Sequence, residues 1–396
     1  MEQVLYKLPD GWEWLSFDSL VENLDGKRIP IKTSERSKDN AIYPYYGATG
    51  IIDYVDDYIY KGEKLLISED GANLVARKYP IAFLADGKYW VNNHAHVVDA
   101  YKDKTSNKYL SYFFAVLDLS SFITGSAQPK LSQKKLNSIK IAVAPIEEQK
   151  RIVEKLDALL NRIDTAIEHL QESVALADAL SQNGLDVYFA ELTETNPELT
   201  LSKLADFISG YAFKSGDFTS ESGIKPIKIT NVGVNEFSEN AEEFLPASYE
   251  SEYQRFAAKT NDIVIALTRP IINGGLKVCR VPESYSGALV NQRVAAITSK
   301  NKHVLDFIYL YLQSSRTKNY VLEKSKSLNQ PNLSITDLKN LALPLPANDK
   351  AIAKAVADCN ALISKARKSK AEISEKITMM QQLKASILDS AFKGEL

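Results

Sequence analysis

Pro145-Ile146-Glu147-Glu148-Gln149-Lys150-Arg151-Ile152-Val153-Glu154-Lys155-Leu156-Asp157-Ala158-Leu159-Leu160 opens a long stretch whose apolar residues return at helical spacing. Its core positions run Ile152, Leu156, Leu159, Ile163, Ala166, Leu170, Ser173, Ala177 and Leu180. The same register returns 200 residues later as Ile352, Val356, Cys359, Ile363, Ala366, Lys370, Ile373, Ile377 and Met380. A period this long implies duplication of a whole domain together with its helix, since solenoid repeats are far shorter.

Outward from the helices the duplication continues. A short apolar helix (Tyr109 to Phe114; Phe307 to Leu312) leads to a polar loop, Gln128-Pro129-Lys130-Leu131-Ser132 and, 202 residues on, Gln330-Pro331-Asn332-Leu333-Ser334. The openings Leu20-x-Glu22-x-Leu24-x-Gly26 and Leu204-x-Asp206-x-Ile208-x-Gly210 lie 184 apart, so the second half carries 18 inserted residues. Strand candidates Leu65-Leu66-Ile67 and Ile263-Val264-Ile265 pair, as do Asn93-His94 and Asn291-Gln292. Each helix closes on one phrase, Leu185-Asp186-x-x-Phe189 and Leu388-Asp389-x-x-Phe392.

The boundaries follow from local chemistry. Pro145 and the acids after it suit a helix N-terminus, and no Pro or Gly interrupts before Asn183-Gly184, where a break or fraying is expected. That helix would reach on the order of 50 Å. Leu343-Pro344-Leu345-Pro346 and a cap at Asn348-Asp349 introduce the second. Short β-type runs separated by Gly, Asp and Asn turns fill the globular parts. The expected fold is α+β: two similar globular domains, residues 1–145 and 193–346, each followed by a long helix, 146–192 and 347–396. The two helices are expected to pair with each other through Ile152, Leu156, Leu159, Ile163, Leu170, Ile352, Val356, Cys359, Ile363, Ile373 and Ile377. Charge supports pairing: residues 145–200 carry a net −8 and residues 347–396 a net +3. Lys370, at a core position, can fix register or reach an acid of the other helix.

Composition excludes several classes. The 396 residues suffice for two domains with real cores, with no apolar run near membrane length and no signal-type start, so a cytoplasmic chain without a membrane is expected. Two cysteines, Cys279 and Cys359, have no metal spacing. No phosphate loop is present. Asn196-Pro197-Glu198-Leu199 puts a carboxylate and an aliphatic residue where a methyltransferase would stack a base. Asn273-Gly274-Gly275 lacks a dinucleotide frame, and Glu148-Gln149-Lys150 lacks the upstream aspartate of a nuclease. His94-x-His96 could begin a metal site, but without a third ligand a hydrogen-bonding role is expected, so neither catalytic residue nor metal is assigned.

What remains are polar loops suited to reading DNA: Ser68, Asp70, Asn73, Arg77, Ser126, Gln128 and Lys130 in one half, Thr268, Arg269, Asn273, Asn329, Gln330 and Asn332 in the other. Asn and Gln can bridge adenine, Arg and Lys guanine, and hydroxyls phosphate. The net charge of −2 is unusual for such a protein, so the distribution of charge matters more than the total.

This plan, with Pro145-Ile146-Glu147-Glu148-Gln149-Lys150-Arg151-Ile152 and the closing Ser386-Ile387-Leu388-Asp389-Ser390-Ala391-Phe392-Lys393-Gly394-Glu395-Leu396, resembles the specificity (S) subunit of type I restriction-modification systems. The resemblance runs from Gly11-Trp12-Glu13-Trp14 onward and departs at Asn348-Asp349-Lys350-Ala351, where the acidic phrase is missing. It implies a non-catalytic subunit whose globular domains are target-recognition domains, each reading half of a split, asymmetric double-stranded DNA target through the major groove. Half-site centres would lie about 34 Å apart, with the two helices paired as an antiparallel coiled coil that acts as a ruler. Implied partners are two methyltransferase (M) subunits using S-adenosylmethionine and restriction (R) subunits using ATP and Mg, with no cofactor in this chain. A non-DNA scaffold with paired binding domains and a specificity subunit of a methylation-only system are the alternative readings.

Overall fold

The computed structural model describes residues 3, 5–36, 41–240, 242–325 and 331–396. The chain forms two compact units, Met1–Gln171 with Ser374–Leu396, and Glu172–Ile373. Each is built from a globular part and two stretches of long helix. The central helix runs Ile146–Thr195 and the C-terminal helix Asp349–Lys393, so each helix contributes one end to each unit.

In the first unit Glu13–Ser16 pairs antiparallel with Lys140–Val143. A four-stranded antiparallel sheet has the order Val21–Asn23, Ala95–Ala100, Lys64–Ser68, Ala82–Ala85. The apolar run at Leu65-Leu66-Ile67 is fully buried because this strand is central and covered on both faces. A second sheet is ordered Gly50–Val55, Tyr43–Gly47, Lys88–Val91, Tyr60–Lys61, with Tyr43–Gly47 parallel to Lys88–Val91. Helix Asn107–Val116 starts at Ser106, whose hydroxyl accepts from the Tyr109 N–H. Its inner face packs Tyr109, Leu110, Phe113 and Phe114 into the core.

Ile152, Leu156 and Leu160 of the central helix and Leu388, Ala391 and Phe392 of the C-terminal helix belong to that same core. Phe392 meets the rings of Tyr109 and Phe113 edge-on at 5.2 Å. The helices run in opposite directions here: Asp164 binds Lys384 at 2.7 Å, while Arg151 donates to the Leu396 carbonyl at 2.7 Å.

The second unit repeats the plan. Glu198–Thr200 pairs with Ala342–Pro344, and a four-stranded antiparallel sheet has the order Asp206–Ser209, Val294–Thr298, Ile263–Ala266, Val278–Arg280. A parallel pair, Pro226–Ile227 with Leu289–Val290, matches the parallel pair of the first unit. Helix Lys302–Tyr311 is capped by Asn301. A further helix, Ser315–Lys324, follows it; a single helix in this stretch was expected. Phe189 meets Phe307 and Tyr311 edge-on at 5.6 and 5.0 Å, the counterpart of Phe392 in the other unit. The helices are again antiparallel, with Asp178 to Lys370 at 2.7 Å and Tyr188 donating to Asp358 at 3.2 Å.

Several expectations are corrected. Leu160, not Leu159, takes the buried position, and Leu180 is 73% exposed, because a 3.6-residue helix drifts off a strict heptad. Ile152, Leu156, Ile352, Val356 and Cys359 face globular cores, whose width requires more than a narrow seam. Ile163 is buried, while Leu170, Ile363, Ile373 and Ile377 are half-buried. The central helix does not break at Asn183-Gly184; the bare Gly184 faces Leu362, and the surrounding packing holds it helical. Cys279 and Cys359 are free and buried, burial pushing both thiols up to about 12. Among the described residues no helix is long and apolar enough to cross a membrane.

Candidate nucleic-acid interface

In each unit the recurring polar loop pairs with the residues that follow the central sheet strand. In the first, the Leu131 N–H donates to the Glu69 carbonyl at 2.7 Å and the Gly71 N–H to the Pro129 carbonyl at 3.0 Å. In the second, Leu333 N–H donates to Leu267 at 2.7 Å and Arg269 N–H to Pro331 at 2.8 Å. Leu131 and Leu333 are buried and anchor the loops. Asp70 thereby bridges to Lys130, and Thr268 to Asn332.

Thus Asp70 and Lys130 come together, as do Thr268 and Asn332. Ser126 and Gln128 are exposed in the turn between Thr124 and Lys130, whose backbones bond reciprocally at 2.9 and 2.8 Å. Gly125 makes that turn possible, with φ +83° and no room for a Cβ, which would lie 2.5 Å from the Gln128 oxygen. Arg269 is exposed, with φ 46°. Asn273 sits in the two-residue turn of the hairpin Ile271–Ile272 and Gly275–Leu276 with φ 48°, followed by Gly274 at 76°, the pairing of positive φ values favoured by Asn-Gly. Asn329 and Gln330 lie outside the described residues.

Three candidates of the first unit do structural work. Ser68 is fully buried and donates to the Ala48 carbonyl. Asn73 closes a loop by accepting from Tyr79 N–H at 2.9 Å and donating to its carbonyl at 3.0 Å. Arg77 directs its guanidinium at the carbonyls of Phe114, Ala115 and Leu117, satisfying the C-terminal end of helix Asn107–Val116; a donor group committed there is not presented to a base.

Beneath the first loop lies a buried polar network. His96, 1% exposed, holds Asp25 Oδ2 through Nδ1 at 2.6 Å and the Leu131 carbonyl through Nε2 at 2.8 Å. Asp25 Oδ1 accepts from Val97 N–H at 2.8 Å. Arg28 reaches Asp25 at 3.3 Å and Glu69 at 2.6 Å, and Lys130 reaches Glu69 at 3.2 Å. Burial opposes ionisation of Asp25, but the hydrogen bond and charge of His96, the Val97 N–H and Arg28 outweigh it and hold the carboxyl below its usual range. Glu69 is likewise lowered against burial, by Arg28, His96 and Lys130. Ligand atoms of Asp25, Glu69 and His96 lie within 4.8 Å of one another, yet the two cationic side chains already match the carboxylates. The hydrogen-bonding reading of His96 therefore fits this geometry, while His94 is half-exposed and holds Asp70 at 2.9 Å.

Strand register also corrects the internal alignment. Ile67 opposes His96 and Ser68 opposes Ala95, whereas Ile265 opposes Ala295 and Ala266 opposes Val294. His96 therefore corresponds to Ala295 rather than Val294, and His94 to Arg293 rather than Gln292. The equivalent asparagines are Asn92 and Asn291. Arg293 escaped sequence reasoning because matching Asn93 to Asn291 slipped the frame by one; the strand Val294–Thr298 is apolar and buried at four consecutive positions, so it carries no alternation that would reveal the slip.

The family model for the type I restriction modification DNA specificity domain matches this chain twice, over residues 9–175 and 194–375. The chain belongs to this family. This specificity-domain chain is 27% identical over 386 residues to the MjaVIII specificity subunit of Methanocaldococcus jannaschii, covering 93% of this chain and 90% of that one. It is 22% identical to the EcoBI specificity subunit of Escherichia coli, over 99% and 88% of the two chains. Among solved structures it is similar to a chain from a study of complex assembly and conformational transition of the type I R-M system, with TM-score 0.72, 18% identity and coverage of 99% and 100%. It also resembles the HsdS subunit of Thermoanaerobacter tengcongensis, with TM-score 0.56 and 18% identity over the whole of both chains. The α+β plan with a long central and a long C-terminal helix is the fold these structures share.

Proposed function

We propose that this chain is the non-catalytic recognition subunit of a type I restriction-modification complex, each unit reading one half of a bipartite, asymmetric DNA target. The observation that carries this is the loop at the end of each four-stranded sheet: the backbone pairing is the same in both units, while the side chains at equivalent places differ, Asp70 and Lys130 against Thr268 and Asn332. One scaffold with two sets of donors and acceptors suits two different half-sites in the major groove.

In this reading residues 1–145 and 193–346 are the recognition domains, and the helices within 146–192 and 347–396 fix the unread spacer. Two methyltransferase subunits carry S-adenosylmethionine and methylate adenine N6 after extruding it from the stack; restriction subunits carry ATP and Mg. The near-neutral chain leaves part of phosphate neutralisation to those partners, so its own binding is weak and salt-sensitive. Titration of labelled duplexes with the chain alone and with its methyltransferase tests this. Tight, sequence-specific binding by the complex is expected, and equal affinity of the complex for target and scrambled duplexes would overturn it.

A further inference from the structure

The turn that enters the middle sheet strand of the second unit displays two exposed side chains, Gln292 and Arg293. Its frame is rigid. Val294 N–H donates to the Asn291 carbonyl at 2.9 Å, Gln292 N–H donates to the Tyr211 carbonyl at 3.0 Å and to Asn291 Oδ1 at 2.7 Å, and the Arg293 carbonyl accepts from Leu267 N–H at 2.9 Å. Gly210 packs against it so closely that a Cβ would lie 2.0 Å from the Asn291 oxygen. The first unit has the same turn at Asn93 and His94, where Glu69 N–H donates to the His94 carbonyl at 2.9 Å.

The chemistry at the two turns differs. His94 is held by Asp70. Thr268 stands at the place of Asp70, since each bridges its own recurring loop. Arg293 thus faces no carboxylate there, and among the described residues no side-chain hydrogen bond or ion pair is made by its guanidinium. An exposed, unneutralised guanidinium on a pinned turn, adjoining Thr268 through the Leu267 backbone bond, has five donors and no acceptor. It matches the paired O6 and N7 acceptors of guanine.

We propose that Arg293 is a specificity-determining residue that reads a guanine in the half-site of the second unit. The inference rests on the DNA-reading function proposed above. The turn is the reading device and the strand register sets its depth; the equivalent turn of the first unit, carrying His94 tied to Asp70, recognises a different base.

The test is selection of bound duplexes from a randomised pool by the reconstituted complex of this chain with its methyltransferase, for wild type, Arg293→Ala, Arg293→Gln and His94→Ala. Arg293→Ala should lower discrimination at one guanine of one half-site by about ten- to hundredfold, leaving the other half-site and the salt dependence unchanged. Arg293→Gln should move that position toward adenine, and His94→Ala should alter only the opposite half. Thermal unfolding of each variant at the wild-type temperature shows that the turn still folds. Uniform weakening across all sequences with a salt slope reduced by about one marks a phosphate contact and overturns the inference, as does an unchanged preference. Wild-type complex that selects no sequence overturns instead the function on which the inference rests.

Discussion

At the scale of single residues, the network under the first loop ties the geometry of that loop to ionisation. Asp25 uses both oxygens, one on Val97 N–H and one on His96, so Asp25→Asn removes an acceptor and leaves buried groups mismatched. A loss of about 1–3 kcal/mol at neutral pH is expected in urea unfolding of the first unit. The folded carboxyls of Asp25 and Glu69 lie below their usual range. Their stabilisation is therefore complete above the ordinary carboxylate range, about pH 4 to 4.5, and is lost as the pH falls through and below it. The gap between wild type and Asp25→Asn should accordingly narrow as the pH falls from 7 toward 3, and a constant gap would rule this account out. Gly125→Ala forces a left-handed residue with a Cβ into the Thr124–Lys130 turn, expected to cost at least about 1–2 kcal/mol from the φ alone, with the clash on the Gln128 carbonyl added, and to blur one half-site in methylome sequencing while sparing the other. Polar residue types pointed to these loops, but sequence does not say where a side chain spends its hydrogen bonds. Ser68 and Arg77 look like readers until Ala48 and the helix end at Leu117 are seen to occupy them.

At the scale of elements, the duplicated phrases were legible because each does the same physical job twice. Phe189 and Phe392 seal equivalent aromatic pockets, and replacing either by Ala should cost about 3–5 kcal/mol. Hydrogen exchange should locate the loss in the second unit for Phe189→Ala and in the first for Phe392→Ala. Both strands of the apolar pair, Leu65-Leu66-Ile67 and Ile263-Val264-Ile265, were readable from composition, whereas the parallel pairs and helix Ser315–Lys324 were not. Parallel partners lie far apart in sequence and leave no local signature, and Ser315–Lys324 is polar on most of its surface. Gly184 misled for a related reason: glycine weakens an isolated helix, but packing beside Leu362 overrides it. A Cβ there would lie 3.8 Å from Leu362, an ordinary contact, so Gly184→Ala should stabilise the second unit by about 0.5–1 kcal/mol in thermal or urea unfolding. The ion pairs Asp178–Lys370 and Asp164–Lys384 are half-exposed and contribute orientation more than stability.

At the scale of the whole molecule, the two units draw on the same two helices, and under the proposed ruler reading the spacer between half-sites is the property most open to change without touching either candidate loop. Removing four residues, about one helical turn, between Leu170 and Leu180 should alter spacer length in the methylome while half-site bases persist; altered bases at constant spacing would refute the ruler. The order of the units along the chain has another consequence. Glu172–Ile373 is one continuous stretch, whereas the first unit needs Ser374–Leu396, because Leu388, Ala391 and Phe392 complete a core begun at Phe17. During synthesis the N-terminal part leaves the ribosome first and then waits on the order of ten seconds or more, at typical translation rates, for the last helical turns. The second unit can close its core meanwhile. The unit that is begun first is thus completed last, and until Phe392 arrives Tyr109 and Phe113 lack the ring that seals them.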